Sequence, residues 1–417
     1  MKVFVRTFGC QQNVADSERI MSYYMARGYE VTYSDKNADL VVINSCMIRD
    51  KAEERVYGYI RNLRKSHTPR ELRIVLTGCI IGAATREPSG KMKKKLEQRI
   101  PDIELLSPDE VGFEYAPIRN EYHVSEKDTQ SKQKHGWVIL SNGCNNYCAF
   151  CIVPFSRGRE ISRPYDDILR EVKEMANNGY SSITLLGQNV NSYGSDLVRQ
   201  KTYTLPDGRT VEPVMVKHLS RQRIPTLFPH LLEDIAQIPG IETVTFTSSN
   251  PWDFSDELID VIKNNHTIDR LLHLPVQSGS TKILKAMNRW YSKEEYIGLI
   301  ERIQQKIPNA QFITDIIVGF PGETLEDFEE TVDLVKKVGF VRAFIACYSP
   351  RPGTYATAHL KDDIPLEEKK RRMKILNEIT NLAHPGVSEG KDWIRTKKEN
   401  NASSRLKTTE LKREKKI

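Results

Sequence analysis

The sequence predicts an α/β protein made of a parallel-sheet βα domain, a partial (β/α)6 barrel and a basic C-terminal tail. In the first hundred residues, three apolar runs alternate with helix-like segments, which is the pattern of βα units on a parallel sheet. Six further strand candidates alternate with helical segments, which favours a barrel. We expect an N-terminal domain over 1–120, a linker over 121–135, the barrel over 136–383 and the tail over 384–417.

A cysteine follows each predicted strand of the N-terminal domain. The strands are Lys2–Phe8, Leu40–Asn44 and Arg73–Thr77, and the cysteines are Cys10, Cys46 and Cys79. In open parallel sheets, ligand sites form outside the carboxyl ends of the strands. We therefore expect the three thiols to converge at one edge of the sheet, although they are far apart in sequence.

The barrel contains six predicted strands, and its site is expected at their carboxyl ends. They are Trp137–Ser141, Ser181–Gly187, Ile241–Thr247, Asp269–Pro275, Gln311–Gly319 and Phe340–Cys347. The polar stretch from Val198 to Thr226 has little periodicity and is too long for an ordinary connection. It is predicted to be either a substrate-contacting loop or a disordered one.

Three cysteines lie on one short segment directly after the first barrel strand. Cys144, Cys148 and Cys151 have the spacing CxxxCxxC. Three thiols can hold three irons of a 4Fe–4S cube and, with no fourth cysteine nearby, leave one iron open to a small molecule. Structural zinc normally takes four ligands in two pairs, and three thiols cannot all form disulfides. The spacing therefore predicts an iron–sulfur cluster with a chemical role.

Composition and charge limit the location and the partners. Hydrophobic residues make up 39% of the chain and charged residues 28%, so no membrane-spanning stretch is expected. The N-terminus has no apolar segment of signal-peptide type, and we expect a cytoplasmic protein. Residues 391–417 hold ten Lys and Arg against four Asp and Glu, which accounts for most of the net charge of +7. An RNA surface on the rest of the chain must therefore be a local patch.

Longer motifs surround both sets of cysteines. They are Gly9–Asn13, Asn44–Ala52, Ile152–Glu160, Leu186–Asn191, Leu272–Ser280 and Tyr348–Thr354. With the CxxxCxxC loop they resemble the radical S-adenosylmethionine methylthiotransferases, over residues 1 to about 381. The resemblance implies that the loop cysteines bind a redox-active 4Fe–4S cluster that cleaves S-adenosylmethionine. It also implies that the N-terminal cysteines bind an auxiliary 4Fe–4S cluster, whose open iron has a role in supplying sulfur.

Other residues are candidate contacts of S-adenosylmethionine. The polar ones that follow barrel strands are Gln188, Asn189, Asn191, Ser248, Ser249 and Gln277. Amides and hydroxyls suit the ribose, carboxylate and ammonium groups of this cofactor, although each residue could equally cap a helix or turn. By resemblance, Asp315 lies near the adenine. Tyr147 and Phe150, inside the cysteine loop, are candidate adenine contacts or core residues.

The resemblance leaves three substrates open. The targets in this family are an isopentenylated adenosine next to the tRNA anticodon, a threonylcarbamoylated adenosine at the same place, or an aspartate of a ribosomal protein. The motifs Asn44–Ala52 and Tyr348–Thr354 look closest to the isopentenyl-adenosine enzymes. With this resemblance we expect an enzyme that acts on the tRNA anticodon stem-loop. We expect it to be a monomer and to need a sulfur source and a reductant such as flavodoxin or ferredoxin. A two-cluster electron carrier and an inactive RNA binder are the alternatives, and neither would cleave S-adenosylmethionine.

The C-terminal segment departs from the family pattern. These enzymes normally end in a small β-rich RNA-binding (TRAM) domain, whereas residues 386–417 are polar and show no strand alternation. We expect a disordered basic tail in place of that domain. Either the chain is truncated, or the charge of the tail takes over part of the RNA binding.

Overall fold

The computed structural model of the chain describes five stretches. They are residues 1–47, 50–67, 72–113, 134–218 and 222–380. The predicted linker as far as residue 133 and the predicted basic tail lie outside the described residues. Across the part that is described, no helix is both long and apolar enough to cross a membrane.

The N-terminal domain is a five-stranded parallel sheet flanked by helices. Its strands are β1 (Lys2–Thr7), β2 (Glu30–Val31), β3 (Leu40–Ser45), β4 (Arg73–Gly78) and β5 (Glu104–Leu105), and its helices are α1 (Gln11–Met25), α2 (Asp50–Ser66), α3 (Cys79–Arg86) and α4 (Lys91–Arg99). The strand order is β2-β1-β3-β4-β5. The order reverses between β1 and β3, which is where such sheets open a ligand crevice.

The predicted N-terminal strands are confirmed to within one residue. Every residue of β3 is buried, as expected for a central parallel strand covered on both faces. The sequence missed the edge strands β2 and β5, because two residues cannot show an alternating pattern.

The second half of the chain alternates strands and helices. The strands are β6 (Lys134–Ile139), β7 (Ser141–Asn142), β8 (Ile161–Ser162), β9 (Tyr180–Leu186), β10 (Tyr203–Thr204), β11 (Thr210–Val211), β12 (Val214–His218), β13 (Gln222–Thr226), β14 (Thr243–Phe246), β15 (Leu271–His273), β16 (Gln311–Val318) and β17 (Arg342–Cys347). The helices are α5 (Val153–Ser156), α6 (Tyr165–Asn177), α7 (Phe228–Ala236), α8 (Asp256–Asn264), α9 (Thr281–Ala286), α10 (Lys293–Lys306), α11 (Leu325–Val338), α12 (Tyr355–His359) and α13 (Leu366–Thr380). Short 3-10 turns add Asp35–Asn37, Pro108–Glu110, Val190–Ser192 and Pro251–Asp253.

Six of these strands form the predicted open barrel. Strands β6, β9 and β14 make one parallel sheet, and β15, β16 and β17 make another. A parallel bridge between Val244 of β14 and Ile268, three residues before β15, lies at the junction of the two sheets. All six predicted strands are confirmed, and the first one begins earlier than expected, at Lys134. The last two residues assigned to the linker, Lys134 and His135, therefore belong to the barrel.

The stretch between β9 and α7 contains structure that the sequence pattern did not reveal. Strands β10 and β11 pair as one antiparallel hairpin, and β12 and β13 pair as a second. Gly208 closes the first hairpin with a φ of +88°, a conformation that glycine adopts without strain. The alternative of a disordered loop was therefore wrong for the described residues, while contact with the substrate stays a prediction.

A buried ionic cluster joins the N-terminal domain to the barrel. Glu171 on α6 lies 2.7 Å from Arg163 and 3.3 Å from Arg19 on α1. Both guanidinium groups also lie over the ring of Phe113, 5.7 Å from its centroid. All three charged side chains are buried. The Glu171 carboxylate and the two guanidinium groups therefore stabilise one another where water does not reach them.

We predict that Glu171→Ala lowers the free energy of unfolding by about 3–5 kcal/mol, because it leaves two buried arginines without their carboxylate. Denaturant unfolding of the apoprotein measures this loss. The matched control is Glu104→Ala, which removes the exposed ion pair with Arg73 and should cost less than about 1 kcal/mol. Equal losses for the two variants would contradict a role for Glu171 in joining the domains.

Candidate active site

The CxxxCxxC segment forms a loop between β7 and α5. Cys144 is buried, and Cys148 and Cys151 are half-buried. Gly143 opens the loop with a φ of +84°, and a Cβ at this position would lie 2.1 Å from the carbonyl oxygen of Arg159. Only glycine therefore allows the two chain segments to approach this closely.

Side chains from neighbouring strands and helices hold the loop. Gln188, one of the predicted cofactor contacts, accepts a hydrogen bond from the amide of Gly143 at 2.6 Å. Asn288 donates to the carbonyl oxygen of Tyr147 at 3.0 Å. The path of the loop is thus set by tertiary contacts on both of its sides.

Arg289 is a charged residue at this site that the sequence did not single out. Its guanidinium is buried and lies 3.5 Å from Sγ of Cys148. It also donates to the side chain of Asn250 and to the carbonyl oxygen of Pro275, each at 2.9 Å. The Trp252 ring lies 4.5 Å from its carbon, so the group is fixed on several sides. A fixed positive charge here would offset the negative charge of an anionic group bound at the loop.

The surroundings of two loop cysteines, Cys144 and Cys151, favour the protonated thiol over the thiolate as long as no metal ion is bound. Burial raises the pKa of Cys144 and that of Cys151 well above the usual range of a thiol. Burial also raises the pKa of nearby Glu160 to about 8, with a further contribution from Asp253. Glu160 is therefore mostly neutral at pH 7 and adds little negative charge beside the loop. Metal binding would displace the thiol protons.

The N-terminal cysteines meet at the carboxyl ends of three adjacent strands. Cys10 caps α1 after β1, Cys46 follows β3, and Cys79 begins α3 after β4. Cys46 and Cys79 are buried, while Cys10 is exposed. These positions flank the reversal of strand order between β1 and β3, so the sheet topology brings the thiols to one edge as predicted.

A chain of buried hydrogen bonds ties these three strand ends together. The Asn13 amide donates to the Asn44 side chain at 3.1 Å and to the Ser45 carbonyl oxygen at 3.2 Å. The Ser45 hydroxyl donates to the carbonyl oxygen of Thr77 and accepts from the amide of Ile80 at 3.3 Å. The backbone around all three cysteines is thereby held in one arrangement before any metal binds.

Arg157 connects the two cysteine sets. It directly follows α5, which itself follows the cysteine loop, and it donates to Asp16 on α1 at 2.7 Å and to Asn142 at 2.9 Å. Burial lowers the pKa of Arg157, but Asp16, Cys79 and Cys10 outweigh this and raise it above its ordinary value. The guanidinium therefore lies within the electrostatic field of the N-terminal thiols. It places a positive charge between the two candidate cluster sites.

Close packing of α3 against α5 fixes the two cysteine sets relative to each other. A Cβ on Gly82 would lie 2.0 Å from the carbonyl oxygen of Ser156, so any larger residue would push the helices apart. We predict that Gly82→Ala lowers the free energy of unfolding by about 1–3 kcal/mol, measured by denaturant unfolding. The control is Gly58→Ala on α2, where the nearest atom, from Arg61, lies 3.9 Å away. This substitution should be neutral or stabilise by up to about 1 kcal/mol, and an equal loss at both glycines would contradict the packing argument.

Three of the predicted residues, Asn189, Asn191 and Ser249, differ in whether their side-chain polar atoms are paired within the described residues. The side chain of Asn191 donates to the carbonyl oxygen of Asn250 and accepts from its amide, each at 2.9 Å, so it orders the loop after β14. Asn189 donates to Asp253 at 2.8 Å, but its buried Oδ1 has no hydrogen-bond partner among the described residues. The buried hydroxyl of Ser249 is likewise unpaired within the described part of the chain. Asn189 and Ser249 thus retain polar atoms that could bind a ligand.

The predicted residues that follow β14 and β15 lie beside Asp315, which belongs to β16. The Ser248 amide donates to Nδ1 of His273 at 3.0 Å, and Nε2 of His273 lies 3.1 Å from Asp315. The Gln277 amide donates to the carbonyl oxygen of Asp315 at 2.9 Å. These residues form a connected polar wall at the carboxyl ends of the strands.

The two aromatic residues of the cysteine loop have different surroundings. Phe150 packs against a small apolar cluster that includes Phe320 and Tyr348. Tyr147 is 49% exposed. The core-packing alternative therefore describes the position of Phe150, whereas Tyr147 faces solvent.

Backbone strain is concentrated around this site. In the described stretches, four residues other than glycine have positive φ values, namely Tyr147, Ser248, Gln277 and Asn288. One lies in the cysteine loop, two follow barrel strands, and Asn288 is bonded to the loop. Such conformations each cost about 1–3 kcal/mol and collect at functional sites, where the surrounding structure imposes them.

The residues present fit an iron–sulfur cluster at each cysteine set. In the described ranges, no three His, Cys, Asp or Glu side chains are close enough to hold one metal ion. The three thiolates that hold a 4Fe–4S cube can lie farther apart than the ligands of a single ion, because each thiolate binds a different iron. The buried amide of Gln12, two residues after Cys10, has neither of its polar atoms paired within the described ranges. Near the loop, Asn146, Asn189 and Ser249 also carry buried unpaired atoms, which suits a polar cofactor such as S-adenosylmethionine.

The open barrel and its three-cysteine loop define an enzyme of the radical S-adenosylmethionine class, and comparisons with known proteins agree. Residues 138–335 match the Radical SAM superfamily model, and residues 2–100 match the uncharacterized protein family UPF0004. The radical S-adenosylmethionine methyltransferase TsrM from Kitasatospora setae superposes with a TM-score of 0.55 at 13% identity, over 85% of this chain and 77% of its own. The cobalamin-dependent radical enzyme OxsB gives 0.51 at 12% identity, over 90% and 56%. At these identities the similarity concerns the fold.

Relatives in sequence are more informative. The tRNA-2-methylthio-N(6)-dimethylallyladenosine synthase of Thermotoga petrophila is 41% identical over 93% of this chain and 84% of its own length. The enzyme of the same name from Fervidobacterium nodosum is 40% identical over 90% and 82%. The chain belongs to the family of the tRNA-2-methylthio-N(6)-dimethylallyladenosine synthases, within the radical SAM superfamily. A 4Fe–4S cluster and S-adenosylmethionine are the cofactors that this membership implies.

Proposed function

We propose that this enzyme methylthiolates tRNA, converting isopentenyl-adenosine next to the anticodon into its 2-methylthio form. The observation that carries the proposal is the pair of cysteine sets in one molecule, each at the carboxyl ends of parallel strands and joined through Arg157. A single set would serve radical formation alone. The match with this chain covers more than four-fifths of the length of each of these two relatives, and their names support the choice of substrate.

The proposal assigns the loop cysteines to the cluster that cleaves S-adenosylmethionine, and the N-terminal cysteines to a second 4Fe–4S cluster. When bound, S-adenosylmethionine at the first cluster would supply a 5′-deoxyadenosyl radical that removes hydrogen from the purine C–H bond, the second cluster would supply the sulfur, and a second molecule of S-adenosylmethionine would supply the methyl group. The protein must orient the target base and exclude water. Arg289 offsets negative charge at the loop, and Arg157 offsets it at the N-terminal site.

The remaining polar residues are proposed contacts of S-adenosylmethionine. Asn189 and Ser249 offer buried oxygens that have no partner within the described residues, while Ser248, Gln277 and Asp315 line the wall around His273. Gln188 and Asn191 act indirectly, since they position the loops that surround the cofactor. We further propose a cytoplasmic monomer that receives electrons from flavodoxin or ferredoxin and sulfur from a separate donor.

The test is anaerobic reconstitution followed by a reaction with defined RNA. About eight irons per chain are expected, four for each cluster. The holoprotein, S-adenosylmethionine and dithionite are incubated with an anticodon stem-loop that carries isopentenyl-adenosine, and the nucleosides are analysed by mass spectrometry. Stem-loops with threonylcarbamoyl-adenosine or plain adenosine are the comparison substrates.

Each alternative function has its own outcome in this experiment. Methylthiolation of the isopentenylated RNA alone supports the proposal, whereas modification of the threonylcarbamoylated RNA would reassign the substrate. Formation of 5′-deoxyadenosine with all RNAs unmodified would point to a protein target. Absence of 5′-deoxyadenosine would leave an electron carrier or an inactive RNA binder.

A further inference from the structure

Exposed aromatic side chains are concentrated beside the cysteine loop. Among the described residues, the exposed large aromatics are Tyr33, Tyr147, Phe155 and Tyr355. Tyr147 lies within the loop, and Phe155 lies on α5, four residues after Cys151. Tyr355 begins α12, which is hydrogen-bonded to the loop. Three of the four thus lie around the entrance to one site, although burial would be the favourable place for such side chains.

Direct contacts hold these three residues on one rim. The rings of Tyr147 and Phe155 pack edge to face, with centroids 6.4 Å apart. A Cβ on Gly353 would lie 3.9 Å from the Phe155 ring, which brings the start of α12 beside it. The amide of Ala356, next to Tyr355, donates to the carbonyl oxygen of Ala149 in the loop at 2.8 Å.

The backbone presents these rings to solvent instead of folding them inward. Tyr147 has a φ of +46°, a strained conformation that its neighbours maintain. Tyr355 is 60% exposed and packs against the exposed ring of His359, with centroids 4.5 Å apart and planes inclined by 39°. This pair continues the exposed aromatic residues away from the loop along α12.

We propose that Tyr147, Phe155 and Tyr355 form a stacking rim for the unpaired bases on either side of the target adenosine. The inference rests on the proposed function, because it takes an RNA loop as the substrate. A base that reaches the loop cysteines must leave its stack, and its neighbours in the RNA then lose a stacking partner. RNA-binding proteins recognise such splayed bases by stacking them on exposed aromatic side chains.

The chemistry of the rim favours bases over an apolar protein partner. Its members are aromatic rings, and the ring beside Tyr355 is the polar imidazole of His359. Ala356, the residue after Tyr355, is buried and adds no exposed aliphatic area to the rim. Stacking tolerates any base, so the rim would grip the loop while the site itself selects the modified adenosine.

The test uses the reconstituted holoprotein and an anticodon stem-loop with isopentenyl-adenosine, in which 2-aminopurine replaces the neighbouring base. Stacking on an aromatic ring should quench the 2-aminopurine fluorescence when the RNA binds. Tyr355→Ala should weaken RNA binding about tenfold and remove much of the quenching. Tyr355→Phe should behave as the parent does, whereas Tyr355→Leu should resemble the alanine variant, because it keeps apolar area but has no aromatic face.

Tyr33→Ala is the matched control, because Tyr33 is 52% exposed but lies on the N-terminal domain, outside the rim. The Tyr33→Ala variant should bind the RNA with unchanged affinity and quench the 2-aminopurine fluorescence as the parent does. Iron content is measured on every variant, and Phe155→Ala provides a second test of the rim, with the same expected loss. If the parent methylthiolates the RNA but neither alanine variant alters affinity or quenching, the rim is overturned while the proposed function stands. If the parent neither binds nor modifies the RNA, the proposed function fails, and the rim fails with it.

Discussion

Cys148→Ala is expected to abolish cleavage of S-adenosylmethionine. Cys148 is one of three thiols on the loop, and its sulfur faces the buried guanidinium of Arg289 at 3.5 Å. With two thiols left, the loop cannot hold the cluster, and the residual polar contacts cannot generate a radical by themselves. The rate of 5′-deoxyadenosine formation should therefore fall by more than about a thousandfold. The iron content should fall by about four per chain.

Iron analysis and chromatographic measurement of 5′-deoxyadenosine under dithionite provide the data. Cys347→Ala is the matched control, since this cysteine ends β17 and contacts Met373, at 3.9 Å between the sulfur atoms, and neither cysteine set. It should keep both the iron and the cleavage activity. Retention of cleavage by Cys148→Ala, at a rate near that of the parent, would disprove the assignment of the loop.

Cys79→Ala is expected to separate radical formation from methylthiolation. This cysteine begins α3 and belongs to the N-terminal set, which has its own hydrogen-bonded framework. The loop framework involves Gly143, Gln188 and Arg289, which do not depend on Cys79. The variant should lose about four irons and continue to form 5′-deoxyadenosine, while the methylthiolated nucleoside falls to background.

Mass spectrometry of the RNA nucleosides and the 5′-deoxyadenosine assay, run on the same samples, distinguish the two activities. The Cys347→Ala protein again serves as the control and should produce both compounds. A Cys79→Ala variant that still makes the methylthiolated nucleoside at the rate of the parent would rule out a role for the N-terminal set in sulfur delivery. Loss of both compounds would show that the two sites do not act independently.

Local sequence patterns were sufficient to locate the strands and the cysteines. Apolar runs such as Leu40–Ser45 are buried on both faces, so their composition alone marks them as central parallel strands. The convergence of Cys10, Cys46 and Cys79 followed from topology, because parallel strands direct their carboxyl ends to the same edge. The spacing of the loop cysteines needed no structure at all.

Contacts between distant segments could not be predicted in this way. Arg289 lies 141 residues after Cys148, and Arg157 lies 141 residues after Asp16. Arg289 lies outside the motifs, and Arg157 lies in the motif Ile152–Glu160, but their burial and their partners become visible only in the folded chain. The first hairpin was missed because β10 and β11 have only two residues each, and the second because Pro225 within β13 argues against a strand.

The sequence by itself determined the α/β class, the two cysteine sets and their strand-end positions, since these depend on hydrophobic periodicity and short-range spacing. Tertiary structure alone decided how the sets face each other. The close packing of α3 on α5 at Gly82 and the bridge from Arg157 to Asp16 depend on surfaces that meet only after folding. Tertiary structure also decided which candidate residues keep unpaired polar atoms, since the hydrogen bonds of Asn191 are satisfied by Asn250 whereas Oδ1 of Asn189 is not paired within the described residues. A hydrogen bond requires a partner at a defined distance and angle, and that geometry is a property of the folded chain.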